Sequence, residues 1–144
     1  MSSPLIENMI EQYQYPVLGE DNIDEFIQSQ EECVLFFTED PVRFPESNDV
    51  CMILPELVQE YGNRFSAAVI AAESQRKLQA RYGFREWPSL VFLRNGEYLG
   101  VVSRVQDWTD YLLKINTILT SEPQRALGIG IPVEQPTTPE SGCC

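Results

Sequence analysis

The 144-residue chain contains no histidine, and its four cysteines, Cys33, Cys51, Cys143 and Cys144, form no Cys-x-x-Cys pair. The first absence removes catalysis that relies on an imidazole base and most zinc ligand sets. The second removes the dithiol spacing of redox and zinc motifs. No apolar run approaches the ~20 residues that span a bilayer, so direct membrane insertion is not expected. The opening segment, Met1 to Glu7, has neither a basic region nor an apolar signal core, so a cytoplasmic location with reduced thiols is expected. Basic residues are nearly missing from the first part of the chain. Residues 1–60 carry 14 acidic side chains against Arg43 alone, whereas residues 61–144 carry 8 acidic and 9 basic, for a net charge of −12 overall. Nucleic acid is therefore not an expected partner, because phosphate binding requires a basic face. A cationic peptide or protein suits such a field; a merely solvated surface is the competing reading. Asp21, Asp24, Glu25, Glu31 and Glu32 lack the glycine-centred spacing of a calcium loop, and no metal or cofactor is expected.

What is present reads as alternating helices and strands. Leu5, Ile6, Met9, Ile10 and Tyr13 share a helical face over residues 3–13. Tyr15 to Leu18 is a short extended piece, after which Asp21 or Asn22 caps a helix with Ile23, Phe26 and Ile27 inward. Cys33 to Phe37 is a continuous apolar run, the pattern of a strand buried on both faces. Residues 38–49 read as an acidic loop, followed by a helix from about Val50 to Tyr61 that Pro55 should kink. Phe65 to Ala72 is a second buried strand, and Glu73 to Arg81 a short basic helix. Asn95-Gly96 joins strands at Ser89–Arg94 and Glu97–Arg104, a strong hairpin signal. Asp107 caps a last helix with Trp108, Tyr111, Leu112, Ile115 and Leu119 inward. Residues 1–120 therefore read as one domain. Residues 121–144, rich in proline and glycine, read as a disordered tail. The element order implies an α/β fold with a central mixed β-sheet flanked by helices on both faces.

The block Tyr82-Gly83-Phe84-Arg85-Glu86-Trp87-Pro88-Ser89-Leu90-Val91-Phe92-Leu93-Arg94-Asn95-Gly96-Glu97 resembles the second half of the thioredoxin fold. The resemblance places Pro88 where that fold keeps a cis-proline and Pro55 where it kinks the active-site helix. The four positions of the family's reactive motif then fall on Ser47, Asn48, Asp49 and Val50, and neither reactive position is a cysteine. The buried aspartate and lysine that assist proton transfer in the family correspond to Phe36 and Val69, both apolar. Disulfide exchange needs an attacking thiolate and a resolving thiol, so the resemblance implies a thioredoxin-like protein without redox activity. Cys51, one residue out of register near a helix N-terminus, leaves open an alternative thiol-dependent oxidoreductase or peroxidase reading. Glu39 and Asp40 stand together as a conceivable acid–base pair, but nothing else organises a reaction around them.

The acidic first half, the missing thiols, the run Arg85-Glu86-Trp87-Pro88-Ser89-Leu90-Val91-Phe92 and the proline-rich tail together are similar to the HyaE/HupG family of accessory proteins for uptake nickel–iron hydrogenases. The resemblance implies a non-enzymatic, chaperone-like role in hydrogenase maturation. It further implies binding of the hydrogenase small-subunit precursor, with its twin-arginine signal peptide as a candidate contact and other hydrogenase accessory proteins as further partners. In a thioredoxin-like fold the loop before the kinked helix lies beside the loop ending in the cis-proline. Glu39, Asp40, Glu46 and Asp49 from the first, with Glu86, Trp87 and Pro88 from the second, are the expected peptide-binding residues. Trp87 would cover an apolar stretch, and its backbone would pair with an extended peptide.

Overall fold

The computed structural model describes residues 4–40 and 43–122. The tail expected beyond residue 120 therefore lies almost wholly outside the described residues, as do Cys143 and Cys144.

The chain opens with α1 (Pro4–Tyr13) and β1 (Val17–Leu18), then α2 (Ile23–Ser29) and β2 (Glu32–Phe37). Helix α3 (Glu46–Glu60) leads to β3 (Ser66–Ile70), a short 3-10 turn at Ala72–Ser74 and α4 (Gln75–Tyr82). The hairpin of β4 (Ser89–Arg94) and β5 (Glu97–Ser103) is followed by α5 (Trp108–Leu119). The five strands form one sheet in the order β1-β3-β2-β4-β5. β1 and β2 both pair parallel with β3, while β4 runs antiparallel to β2 and β5 antiparallel to β4. Parallel neighbours need crossover connections, which the helices supply, and antiparallel neighbours can close through a tight turn. Asn95 (φ 51°) and Gly96 (φ 83°) make that turn with two left-handed residues, the geometry that follows the strands' own twist.

All six residues of β2 are buried, as its unbroken apolar run predicts. Alternation along the strand divides them between two cores. Val34 and Phe36 join Ile6, Met9, Leu54, Leu57 and Tyr111 on the side covered by α1, α3 and α5. Cys33, Leu35 and Phe37 join Ile23, Ile27, Leu78 and Tyr82 on the side covered by α2 and α4. Glu32 opens the strand as a buried carboxylate gripped by Arg64 from before β3 and Arg94 from the end of β4. Arg94 also donates to the carbonyls of Leu119 and Ser121, tying down the end of α5.

Three local expectations change. Helix α3 begins at Glu46 rather than Val50, so Glu46 and Asp49 sit in a helical turn and not in a loop. Phe44 N–H donates to Asp40 O, Ser47 N–H to Phe44 O and Asn48 N–H to Pro45 O, and Pro45 (φ −64°) fits a helix start. Trp108 is 39% exposed, because Tyr111 takes the inward place in the first turn of α5 and donates its hydroxyl to Arg104 O at 3.2 Å. In α1 only Ile6 and Met9 are buried, while Leu5 and Tyr13 each stay 44% exposed.

Candidate functional site

The loop after β2, the start of α3 and the loop before β4 meet at one end of the sheet, as the resemblance implies. The peptide bond between Trp87 and Pro88 is cis. Pro88 is fixed from across the hairpin, where Arg104 N–H donates to Pro88 O at 2.7 Å. Ser89 Oγ reaches Glu86 O at 2.6 Å and lies 2.7 Å from Ser103 Oγ. A small polar network anchors the facing loop. Ser47 Oγ donates to Thr38 O at 2.6 Å, and Gln75 Nε2 donates to Thr38 Oγ1 and Ile70 O. Gln75 Oε1 in turn accepts the Glu39 N–H. Glu39 adopts a left-handed φ of 52°, a conformation that this network holds in place.

Ser47 therefore does structural work at the first of the reactive-motif positions. Its side chain is fully buried and spent on a backbone carbonyl. Phe36 and Val69 are facing partners in the β2–β3 pair, both buried, so an apolar contact occupies the expected site of proton transfer. Cys51 is 2% exposed and faces α1, with Sγ 3.3 Å from Leu5 O and 3.8 Å from Met9 Sδ. Burial pushes its thiol up to about 11, opposite to the shift a reactive thiolate needs. Cys33 is pushed up to about 12 by burial in the other core. Neither thiol opens onto the cis-proline loop.

Between the two loops lies a groove of about 510 Å³. Of the expected binding residues it gathers only Glu46, Glu86 and Trp87, and it adds Arg43, Phe44, Pro45, Arg85 and Arg104. Glu46 is held by Arg104 in a two-pronged pair, Nε–Oε1 2.6 Å and the second nitrogen to Oε2 3.0 Å. The Arg104 hydrogen bond keeps the Glu46 carboxyl below the usual carboxylate range. Glu39 is turned away to Arg76, at 2.8 Å. Asp49 is exposed on α3 but does not line the groove, and neither does Asp40. Trp87 is only 7% exposed; its ring packs on Phe84 (5.2 Å between centroids, edge to face) and Phe37 (6.2 Å). Three arginines against two glutamates make the groove locally cationic on an anionic chain.

Sequence reasoning located the loops but missed the arginines. Arg85 lies inside the diagnostic block. Arg104 is 58 residues from Glu46, and no local pattern links them.

Comparison with known proteins agrees with this geometry. Residues 5–111 match the family described as hydrogenase-1 expression protein HyaE. The hydrogenase expression/formation protein HoxO of Azotobacter vinelandii is 44% identical over 142 residues, covering 99% of this chain and 92% of that protein. HupG of Rhizobium leguminosarum bv. viciae, also a hydrogenase expression/formation protein, is 37% identical and covers 85% of each chain. A crystal structure of a HupG from Rhodopseudomonas palustris superimposes with a TM-score of 0.52 at 42% identity, over 72% of this chain and 94% of that one. Plasmodium falciparum thioredoxin superimposes with a TM-score of 0.59 at 11% identity, over 70% of this chain and 97% of that one, a likeness of fold alone. Both the family match and the full-length relatives lead to one statement: this chain belongs to the HyaE family of hydrogenase expression/formation proteins, built on a thioredoxin-like fold.

Proposed function

We propose that the protein is a redox-inert cytoplasmic chaperone that binds the small-subunit precursor of a membrane-bound nickel–iron hydrogenase, contacting its twin-arginine signal peptide. The observation that carries this reading is the replacement of thiol chemistry by packing. Ser47 is tied to Thr38 O, Val50 is buried and Cys51 is turned into the α1 contact. A thioredoxin scaffold without its thiols retains only surfaces. Its relatives carry names tied to hydrogenase formation, which points to a hydrogenase component as the client.

A twin-arginine signal is a basic segment followed by an apolar one. The carboxylates that carry the chain's excess charge suit the basic part. Of the expected contacts, Asp49 and Glu86 are exposed carboxylates suited to this, whereas Glu39 and Glu46 are already paired with Arg76 and Arg104. The backbone of Trp87, beside cis-Pro88, would pair with an extended stretch, its buried ring shaping the loop rather than gripping the peptide.

Titration calorimetry of the full chain with the signal peptide, beside a peptide with both arginines changed to glutamine, tests the reading. The expected result is binding that needs the arginines and weakens with salt, because the attraction is partly electrostatic. Absence of binding to either peptide would refute it.

A further inference from the structure

We propose that a second surface, the recess between α1 and α3, is where a cationic segment with an adjoining apolar stretch docks on this protein. This rests on the preceding reading of the client's chemistry and gives the junction of its basic and apolar parts a contact separate from the cis-proline loop.

The recess measures about 250 Å³. Met9, Cys51 and Pro55 are buried at its base, while Leu5, Tyr13 and Met52 stand 44%, 44% and 59% exposed around it. These are three of the six large hydrophobic side chains exposed among the described residues, so their convergence exceeds scattered surface exposure. Two thioethers and a thiol line the recess, soft groups that adapt to differently shaped apolar partners.

The surrounding charge has one sign. Neither α1 nor α3 contains a lysine or arginine; together they carry Glu7, Glu11, Asp49, Glu56 and Glu60, besides Glu46, which Arg104 pairs. Asp49 and Glu56 lie three residues before and four after Met52, which places all three on one side of α3. Both acids are exposed, and neither has a cationic partner among the described residues. A largely apolar recess, with Asn8 and Gln12 also in its lining and carboxylates flanking Met52 on α3, complements a chain that is basic beside its apolar part. The cis-proline groove, lined by Arg43, Arg85 and Arg104 against Glu46 and Glu86, is less suited to the basic part of the segment. A second copy of this chain would oppose like charges across α3, and an anionic membrane surface would be repelled by the same carboxylates.

The experiment titrates the twin-arginine signal peptide into the full chain and into two variants, Met52→Glu and the charge reversal Asp49→Lys with Glu56→Lys. Both alter exposed helix positions, and circular dichroism confirms folding. Each is expected to weaken binding at least about tenfold, ~1.4 kcal/mol. Independently of any variant, amide shift changes in the wild-type protein are expected at residues 5–13 and 49–56. Wild-type binding that survives both variants, or that shifts residues 85–88 instead, overturns the α1–α3 site and leaves the client reading standing. No wild-type binding refutes the client reading, and the docking site with it. Sedimentation showing a dimer that Met52→Glu dissociates would assign the recess to a second copy and likewise overturn the proposal.

Discussion

Replacing Glu32 by glutamine should remove the charge that closes one end of the sheet. Glu32 Oε1 and Oε2 accept from Arg64 at 2.6 and 3.0 Å, and Oε2 also accepts from Arg94 Nε at 2.9 Å. The Glu32 side chain is 6% exposed, Arg94 24% and Arg64 48%. Breaking a fully buried pair costs about 3–5 kcal/mol, and an exposed pair is worth under about 1 kcal/mol. Both arginines keep some water here, so the expected loss lies between these limits, about 2 kcal/mol. Burial alone would push the Glu32 carboxyl up, but hydrogen bonds and charge from Arg64 and Arg94 outweigh it and leave the carboxyl below its ordinary value. A depressed carboxylate contributes stability above its unfolded pKa and loses it as pH falls through the folded one. Urea unfolding of wild type and Glu32→Gln, followed by tryptophan fluorescence, should therefore show a gap at pH 7 that closes on acidification. Coupling measured by a double-mutant cycle should be larger with Arg94 than with the half-exposed Arg64. A variant within about 0.5 kcal/mol of wild type at pH 7, or a gap indifferent to pH, would refute this account of the cluster.

Other expectations follow from single contacts. With Cys143 and Cys144 changed to serine, alkylation of Cys51 should stay slow at pH 8 and rise only toward its elevated value of about 11; rapid labelling near neutrality would revive a thiol role. Gly100→Ala places a Cβ 2.8 Å from Ile118 Cγ1, so thermal unfolding should register about 1–3 kcal/mol of overpacking, less in an Ile118→Ala background that lacks that atom. Gln75→Leu strands the Glu39 N–H and the Ile70 carbonyl and removes one of the Thr38 hydroxyl's two partners. It should cost more than Ser47→Ala, which strands the Thr38 carbonyl alone at about 1–3 kcal/mol; chemical denaturation of both variants orders them.

Determined by the sequence alone were the features set by short-range pattern. The apolar run from Cys33 to Phe37 could only be a strand covered on both sides, and Asn95-Gly96 could only turn a hairpin tightly. The resemblance of the Tyr82–Glu97 block to the thioredoxin fold, rather than any periodicity, implied the cis-proline and placed non-cysteine residues at the reactive positions. Strand and helix patterns repeat every two or nearly four residues, so a single chain displays them. The tertiary structure decided everything that depends on which distant side chains meet. Glu46 and Arg104, 58 residues apart, cancel one another beside a groove that composition alone marks as acidic. Trp87, expected to cover an apolar stretch of a bound peptide, is enclosed because Phe37 from β2 and Phe84 from its own loop close on its ring. The recess at Leu5, Tyr13 and Met52 forms where α1 and α3 meet and leave these side chains exposed. Charge complementarity and pocket shape are properties of approach in three dimensions, and hydrophobic periodicity carries no record of them.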